Sequence, residues 1–269
     1  PAPGGFPYGG RWPREYALDR PALVYRLGNP ALDARVTRLV TELRALQRRG
    51  HGAPGRIEDP GPIIHEMRLR RSPAELARHR RACELSRDGH IEAMRYARPG
   101  MYEYQVQAAM EFVFREGGSP RNGYPSIVAS GPNACILHYS ENRRRMESGD
   151  LLLIDAAAEY GYHSSDITRT FPVNGRFSTP QRAIYELVLR AQLAAIAAAK
   201  PGERYEAMHE AARRVLAEGL VALGLLPRGI EDSLAMHHYR EFYMHGTGHW
   251  LGMDVHDVGD YKIHGASRA

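Results

Sequence analysis

The sequence predicts an α+β fold built from two similar halves, and three observations carry that expectation. Ala97-Arg98-Pro99-Gly100 is echoed at Ala199-Lys200-Pro201-Gly202, each between two stretches with helical patterning. Each helical pair is followed by a β-like segment that contains histidine. Between the halves, the apolar run Leu151-Leu152-Leu153-Ile154 ends in Asp155, and Asp166 follows eleven positions later. Two halves of roughly 100 residues, within the usual size of a compact domain, place a site between them, where both can contribute groups.

Residues 1 to about 20 are rich in Gly, Pro and aromatics and read as irregular. Residues 22–27 read as a short strand. Residues 30–49 carry Leu32, Val36, Leu39, Val40, Leu43 and Leu46 at helical spacing, closed by Gly50. Ile63-Ile64 reads as one more strand. Those pieces cannot close a core, so residues 1–66 are expected to be the remnant of an α/β domain with its linker. Residues 67–269 form the second expected domain.

In that domain Ser72-Pro73-Ala74-Glu75 is a capping box with proline at the first helical position, opening a helix that Pro99-Gly100 stops. A second helix runs from Tyr102 until Gly117-Gly118. Ser126-Ile127-Val128-Ala129 and Cys135-Ile136-Leu137-His138 are β-like, and a hairpin spans residues 151–173. Ser178-Thr179-Pro180 then caps a helix ended by Lys200-Pro201-Gly202, and residues 205–223 form its partner.

A hairpin turn centred on Tyr160-Gly161 sets Asp155 directly opposite Asp166, with Cβ atoms about 4.5–5.5 Å apart. Two ionised carboxylates so placed repel, which calls for a shared proton or a shared hard cation. A slipped register would instead send one of them to solvent. The second cluster is Met244-His245-Gly246-Thr247-Gly248-His249-Trp250-Leu251-Gly252, then Asp254-Val255-His256-Asp257. His245 and His249 are four apart, but two glycines and no glutamate lie between them, which argues against a helical zinc pair. A glycine-loosened strand presenting His249 and His256 remains. Any one histidine reads first as structural. Three within twelve residues, in the half that complements the two aspartates, favour a functional site. Carboxylates plus one imidazole suit manganese, cobalt or iron better than a structural zinc. His138 precedes the hairpin, where spacing alone does not separate a ligand from a loop cap. No serine lies in a nucleophile elbow, and Cys135 has apolar neighbours.

The run from Ile154-Asp155 through Asp166-Ile167-Thr168-Arg169-Thr170-Phe171-Pro172 resembles the Xaa-Pro aminopeptidases of the pita-bread metallopeptidase family. So do His138-Tyr139, Met244-His245-Gly246 and residues 248–259. The resemblance covers residues 63–269. It implies a pseudo-symmetric pita-bread (creatinase/aminopeptidase-like) catalytic domain, incomplete at its C-terminal end. It also implies two divalent metal ions, usually Mn2+, with Co2+, Fe2+ or Zn2+ as alternatives. Carried over, Asp155 binds one metal, Asp166 bridges both and His249 binds the other, while His138, His245 and His256 contact substrate or the reacting carbonyl. A metal-bridging hydroxide would attack the peptide bond preceding proline. The two glutamate ligands of the family and a nearby arginine have no match within 269 residues. The chain is therefore expected to be an inactive fragment of a peptidase acting on peptides with proline at position two, homo-oligomeric at full length.

Composition bounds the rest. The formal charge of +5 is spread along the chain and is nearly all arginine, since Lys200 and Lys262 are the only lysines. Arg68-Leu69-Arg70-Arg71, Arg80-Arg81 and Arg143-Arg144-Arg145 are too short for a nucleic-acid arm. No apolar run approaches the roughly 18–20 residues of a membrane span, and Cys83 and Cys135 make no disulfide framework, so no membrane partner and a cytoplasmic setting are expected. Prolidase, a dipeptidase with similar ligands, is the nearest alternative. A pita-bread binding module is the alternative from another class, but such modules lose the metal ligands. Methionine aminopeptidase lacks the preceding α/β domain.

Overall fold

The computed structural model describes residues 17–226, 229–263 and 265–268. The irregular stretch expected over residues 1 to about 20 thus falls almost wholly outside the described residues. The chain divides into two compact units, one ending at Met67 and one beginning at Arg68.

In the first unit β1 (Ala22–Val24) pairs in parallel with β2 (Arg56–Glu58), and α1 (Pro30–Ala45) connects them. Asn29 starts α1 by accepting a hydrogen bond from the Leu32 N–H at 3.2 Å, as an N-cap does. Leu39 and Leu43 of α1 bury against Ala17, with Leu18, Leu23 and Ala53 around them. A 3₁₀ turn, Leu46–Arg49, ends at Gly50, whose φ of +87° is the left-handed closure that glycine permits. Ile63-Ile64 is not a strand. It lies in α2 (Gly61–Leu69), where both amides reach the Pro60 carbonyl at 3.1 and 3.0 Å. Two β-branched residues cannot outweigh a proline at a helix start.

In the second unit α3 (Pro73–Tyr96) opens on the predicted capping box. Ser72 accepts from the Glu75 N–H, and the Glu75 carboxylate accepts from the Ser72 N–H at 2.8 Å. Next come α4 (Glu103–Glu116) and a three-stranded antiparallel sheet of β3 (Ile127–Ser130), β4 (Leu151–Asp155) and β7 (Thr168–Pro172), in the order β3-β4-β7. Leu85, Val106, Met110, Phe114, Val128, Leu152 and Ile154 fill one core. A Cβ at Gly89 would overlap the Phe114 ring, so glycine is what lets α3 and α4 approach there. The second helix pair, α5 (Thr179–Ala198) and α6 (Glu206–Ala222), builds its own core with α7 (Ile230–Ala235) around Leu187, Leu216, Leu220 and Leu234. The Ser178–Gln181 box caps α5 as Ser72–Glu75 caps α3. The two helical pairs of the repeat are therefore present.

Three further expectations are corrected. Residues 135–138 form no strand. Gly131–Cys135 is a 3₁₀ turn, and His138 takes φ +55° in the loop beyond it. The histidine segment, residues 244–257, is irregular, and the elements after it are the two-residue strands β8 (Lys262–Ile263) and β9 (Ala266–Ser267). Finally, the hairpin turns on Gly161-Tyr162, both at positive φ (+55° and +67°), one position later than expected. Strands β5 (Glu159–Tyr160) and β6 (His163–Ser164) flank that tip. Asp155 consequently faces Thr168, and Asp166 lies two positions from that partner. A shift of the turn by one position moves every partner by two, which keeps both aspartates on one face.

Candidate active site

Burial along β4 alternates, with Leu152 and Ile154 in the core and Asp155 on the other face. Beyond Asp155 the ladder continues through the buried Ala156-Ala157-Ala158. The Ala156 N–H donates to Ile167 at 3.2 Å and the Ser165 N–H to Ala158 at 3.2 Å. Ser86 of α3 braces this neck, its hydroxyl accepting the Ala158 N–H at 2.7 Å and meeting the Ser165 hydroxyl at 2.6 Å. A helix thereby fixes where the two carboxylates emerge.

The phenol of Tyr124 joins them. Its oxygen lies 2.5 Å from Asp155 Oδ1 and 3.0 Å from Asp166 Oδ1. Gly123 makes this possible, because its N–H reaches the Ala157 carbonyl at 2.8 Å and a Cβ there would overlap the Ser164 hydroxyl. Burial, together with both carboxylate charges, pushes the phenol far up, so it stays a donor. The sequence offered no signal for this contact beyond a glycine beside a tyrosine. Asp166 Oδ2 lies 3.0 Å from His249 Nε2, and His249 Nδ1 lies 2.9 Å from the Trp250 carbonyl. The His256 ring stacks on His249 with centroids 3.9 Å apart and planes 13° off parallel.

A cavity of about 330 Å³ opens beside the aspartates, lined by Tyr124, Ile127, His138, Ser140, Asp155, Asp166, Val255 and His256. His138 and His256 are thus brought to the site with both carboxylates. His245 is not among the lining residues. It is exposed, with Nδ1 2.9 Å from the Gly246 carbonyl and its ring edge-on to Tyr243 at 4.9 Å. His90, missed by sequence reasoning, is buried with Nε2 3.1 Å from the Ala156 carbonyl, and burial lowers its pKa.

Among the described residues no group of three His, Cys, Asp or Glu side chains stands ready to hold a metal ion. The donor chemistry nevertheless fits a divalent cation. A neutral imidazole that donates from Nδ1 to the Trp250 carbonyl turns the Nε2 lone pair toward the Asp166 carboxylate. Two lone pairs at 3.0 Å require a proton or a cation between them. Carboxylate, carboxylate and imidazole form a set that manganese, cobalt, iron and zinc accept.

Burial raises the Asp155 carboxyl, the Tyr124 hydrogen bond opposes that, and the Asp166 charge raises it again. A carboxyl whose pKa is higher folded than unfolded adds stability at acid pH, and that stability is lost as pH climbs through the folded value. In metal-free protein Asp155→Asn should therefore raise Tm by about 2–4 °C at pH 7 and by less at pH 4. Calorimetry with chelator checks this, and a lower Tm for the variant at pH 7 would make Asp155 a structural anchor.

Residues 77–268 match metallopeptidase family M24. The chain is 48% identical over 205 residues to the Xaa-Pro aminopeptidase of Haemophilus influenzae, which covers 76% of this chain and 48% of that protein. It is 43% identical over 229 residues to the Escherichia coli enzyme, covering 85% and 52%. Human Xaa-Pro dipeptidase is 38% identical over 205 residues, covering 74% and 42%. The chain spans about half the length of these curated relatives. Aminopeptidase PepP of Pseudomonas aeruginosa matches in structure with a TM-score of 0.93 at 46% identity, covering 95% of this chain and 58% of that one. Zn-substituted E. coli aminopeptidase P in complex with product matches at 0.89 and 40% identity, covering 92% and 57%. The pita-bread fold expected from the motifs is the fold of these neighbours. With the aspartate hairpin, the histidine loop and the family match falling on the same residues, the chain belongs to metallopeptidase family M24.

Proposed function

We propose that the protein carrying this chain is a metal-dependent aminopeptidase that releases the first residue of peptides with proline at the second position. The observation that supports it most is the linked series Asp155, Tyr124, Asp166, His249, the first three of which line a cavity that also presents His138 and His256. Asp155, Asp166 and His249 would hold divalent cations, manganese in our reading, which when bound supply Lewis acidity and a water of lowered pKa. Tyr124 keeps its proton and orients the two carboxylates. His256, stacked on His249, donates to the carbonyl oxygen as negative charge develops there. His138 lines the same cavity and would bind substrate there. The greater identity to the aminopeptidases than to the human dipeptidase supports tripeptides and longer chains as substrates.

The complete protein with Mn2+ is expected to release alanine from Ala-Pro-Ala. Cleavage of the dipeptide Ala-Pro alone would make it a prolidase, and cleavage of neither with Mn2+, Co2+ or Zn2+ would refute the peptidase reading. Among the described residues the expected ligands are two carboxylates and one imidazole, fewer than the about six donors a hard cation takes. We expect that piece to turn over neither peptide. Oligomerisation of the complete protein and a reducing, cytoplasmic setting belong to the same proposal, the latter supported by the free thiols of Cys83 and Cys135.

A further inference from the structure

Residues 249–257 carry His249 and His256 without helix or strand to hold them. Beside the Ser164 N–H, which donates to the Gly252 carbonyl at 2.7 Å, a buried ion cluster holds this loop. The Asp257 side chain is 0% exposed. It accepts from Arg68 Nη2, from Arg71 Nη2 at 2.5 Å and from the Val258 N–H at 2.9 Å. Arg68 Nη2 also donates to Asp254 at 2.7 Å, and Arg71 Nη2 donates to the Leu251 carbonyl at 2.9 Å. Both arginines lie just before α3, 180 or more positions from the residues they hold. Burial alone would raise the Asp257 carboxyl, but the Arg71 hydrogen bond and both guanidinium charges hold it below its ordinary value.

The cluster sets the histidines through the backbone. The Asp257 N–H closes the loop onto the Trp250 carbonyl at 2.9 Å. Trp250 follows His249 and Asp257 follows His256, so this one bond ties together the immediate neighbours of the two rings. The two rings stack, with centroids 3.9 Å apart. Gly252 sits in the fold of the loop, and a Cβ there would overlap both Arg71 Nη2 and Asp257 Oδ2.

We propose that Arg71 and Arg68, acting through Asp257, are positioning residues for His256: they hold its ring on His249 and toward the reacting carbonyl without touching substrate. The catalytic half of this inference rests on the peptidase reading, and the geometric half does not. The test uses the complete protein and Arg71→Lys, which keeps the charge but puts a single ammonium nitrogen in place of a planar guanidinium whose Nη1 donates to the Arg68 carbonyl while Nη2 donates to Asp257 and Leu251. With Ala-Pro-Ala and Mn2+, kcat should fall about 10- to 100-fold while KM stays within about twofold, because a displaced general donor costs the transition state and not binding. In ¹³C-histidine-labelled metal-free protein, the Cε1–H resonances of His249 and His256 should both move as the rings lose each other's ring current. Val106→Ala, in the α4 core, should lower Tm and leave kcat and both resonances in place. Should Arg71→Lys not fold, Gly252→Ala crowds the same pair without deleting a charge and carries the same expectation. A lowered Tm with kcat changed less than about twofold and both resonances unmoved would make the cluster a brace only and overturn the inference. If the wild-type protein cleaves neither Ala-Pro-Ala nor Ala-Pro, the peptidase reading fails, and the two resonances alone decide whether the cluster positions the rings.

Discussion

Asp166→Asn is expected to lower kcat on Ala-Pro-Ala by at least about 10³-fold in the complete protein, the scale seen when a group central to a catalytic constellation is neutralised. Asp166 joins the aspartate hairpin to the histidine loop, meeting Tyr124 through Oδ1 at 3.0 Å and His249 through Oδ2 at 3.0 Å. The amide keeps an oxygen for the tyrosine but loses the charge that a cation shared with Asp155 would need. Binding should fail with catalysis. Titration calorimetry with Mn2+ is expected to show the stoichiometry reduced or the affinity down by more than about tenfold. Tm without metal should change little. Full turnover by Asp166→Asn would remove this aspartate from the mechanism.

Glu103→Gln is expected to cost about 3 kcal/mol of stability although the two side chains have almost the same shape. Glu103 opens α4 and is completely buried. Its Oε1 accepts from the Ser130 N–H at 2.7 Å, the Ser130 hydroxyl at 2.7 Å and Asn133 Nδ2 at 3.2 Å. Its Oε2 accepts from the Tyr139 hydroxyl at 2.8 Å and the Arg144 N–H at 2.9 Å. Every partner is a donor, so a glutamine must aim its own NH₂ at donors whichever way it turns. The stranded groups lie in the loop that carries His138, and that loop should loosen first. Thermal unfolding should shift down by about 6–12 °C, with amide exchange fastest over residues 130–145. A shift under about 2 °C would mean that water or rotation satisfies these donors.

The helices were legible because their ends are written locally. Ser72 with Glu75 and Ser178 with Gln181 are reciprocal caps three residues apart, and Pro99-Gly100 and Pro201-Gly202 are breakers. The strand ending in Asp155 was equally legible, from an apolar run and a terminal carboxylate. Register was not. The turn places Tyr162, not only a glycine, at positive φ, a conformation with no mark in the sequence. The pairing of the aspartates on one face survived because that error moved partners by two. Ile63-Ile64 failed as a strand because the prolines beside it start a helix. The histidine loop failed for a different reason: side chains far away in sequence hold it, and no local pattern records Arg71 meeting Asp257. Tyr124 was missed likewise, since its partners lie 31 and 42 positions away. The structure gathers Asp155, Asp166, His249, His138 and His256 and leaves His245 apart, a difference that only the three-dimensional contacts record.

The arginine clamp also sets where the second unit can be cut out for expression or grafting. Its first helix starts at Pro73 with Ser72 as cap, and a designer trimming to that cap would discard both Arg68 and Arg71. Asp257 would then lose both of its guanidinium partners, and the Leu251 carbonyl and Asp254 would lose theirs with it. The compact unit begins at Arg68, four residues ahead of the cap, and those four residues are the shortest extension that brings the clamp along. A piece excised at Ser72 would carry every motif residue in its sequence and still lack the means to fold the segment that bears two of them.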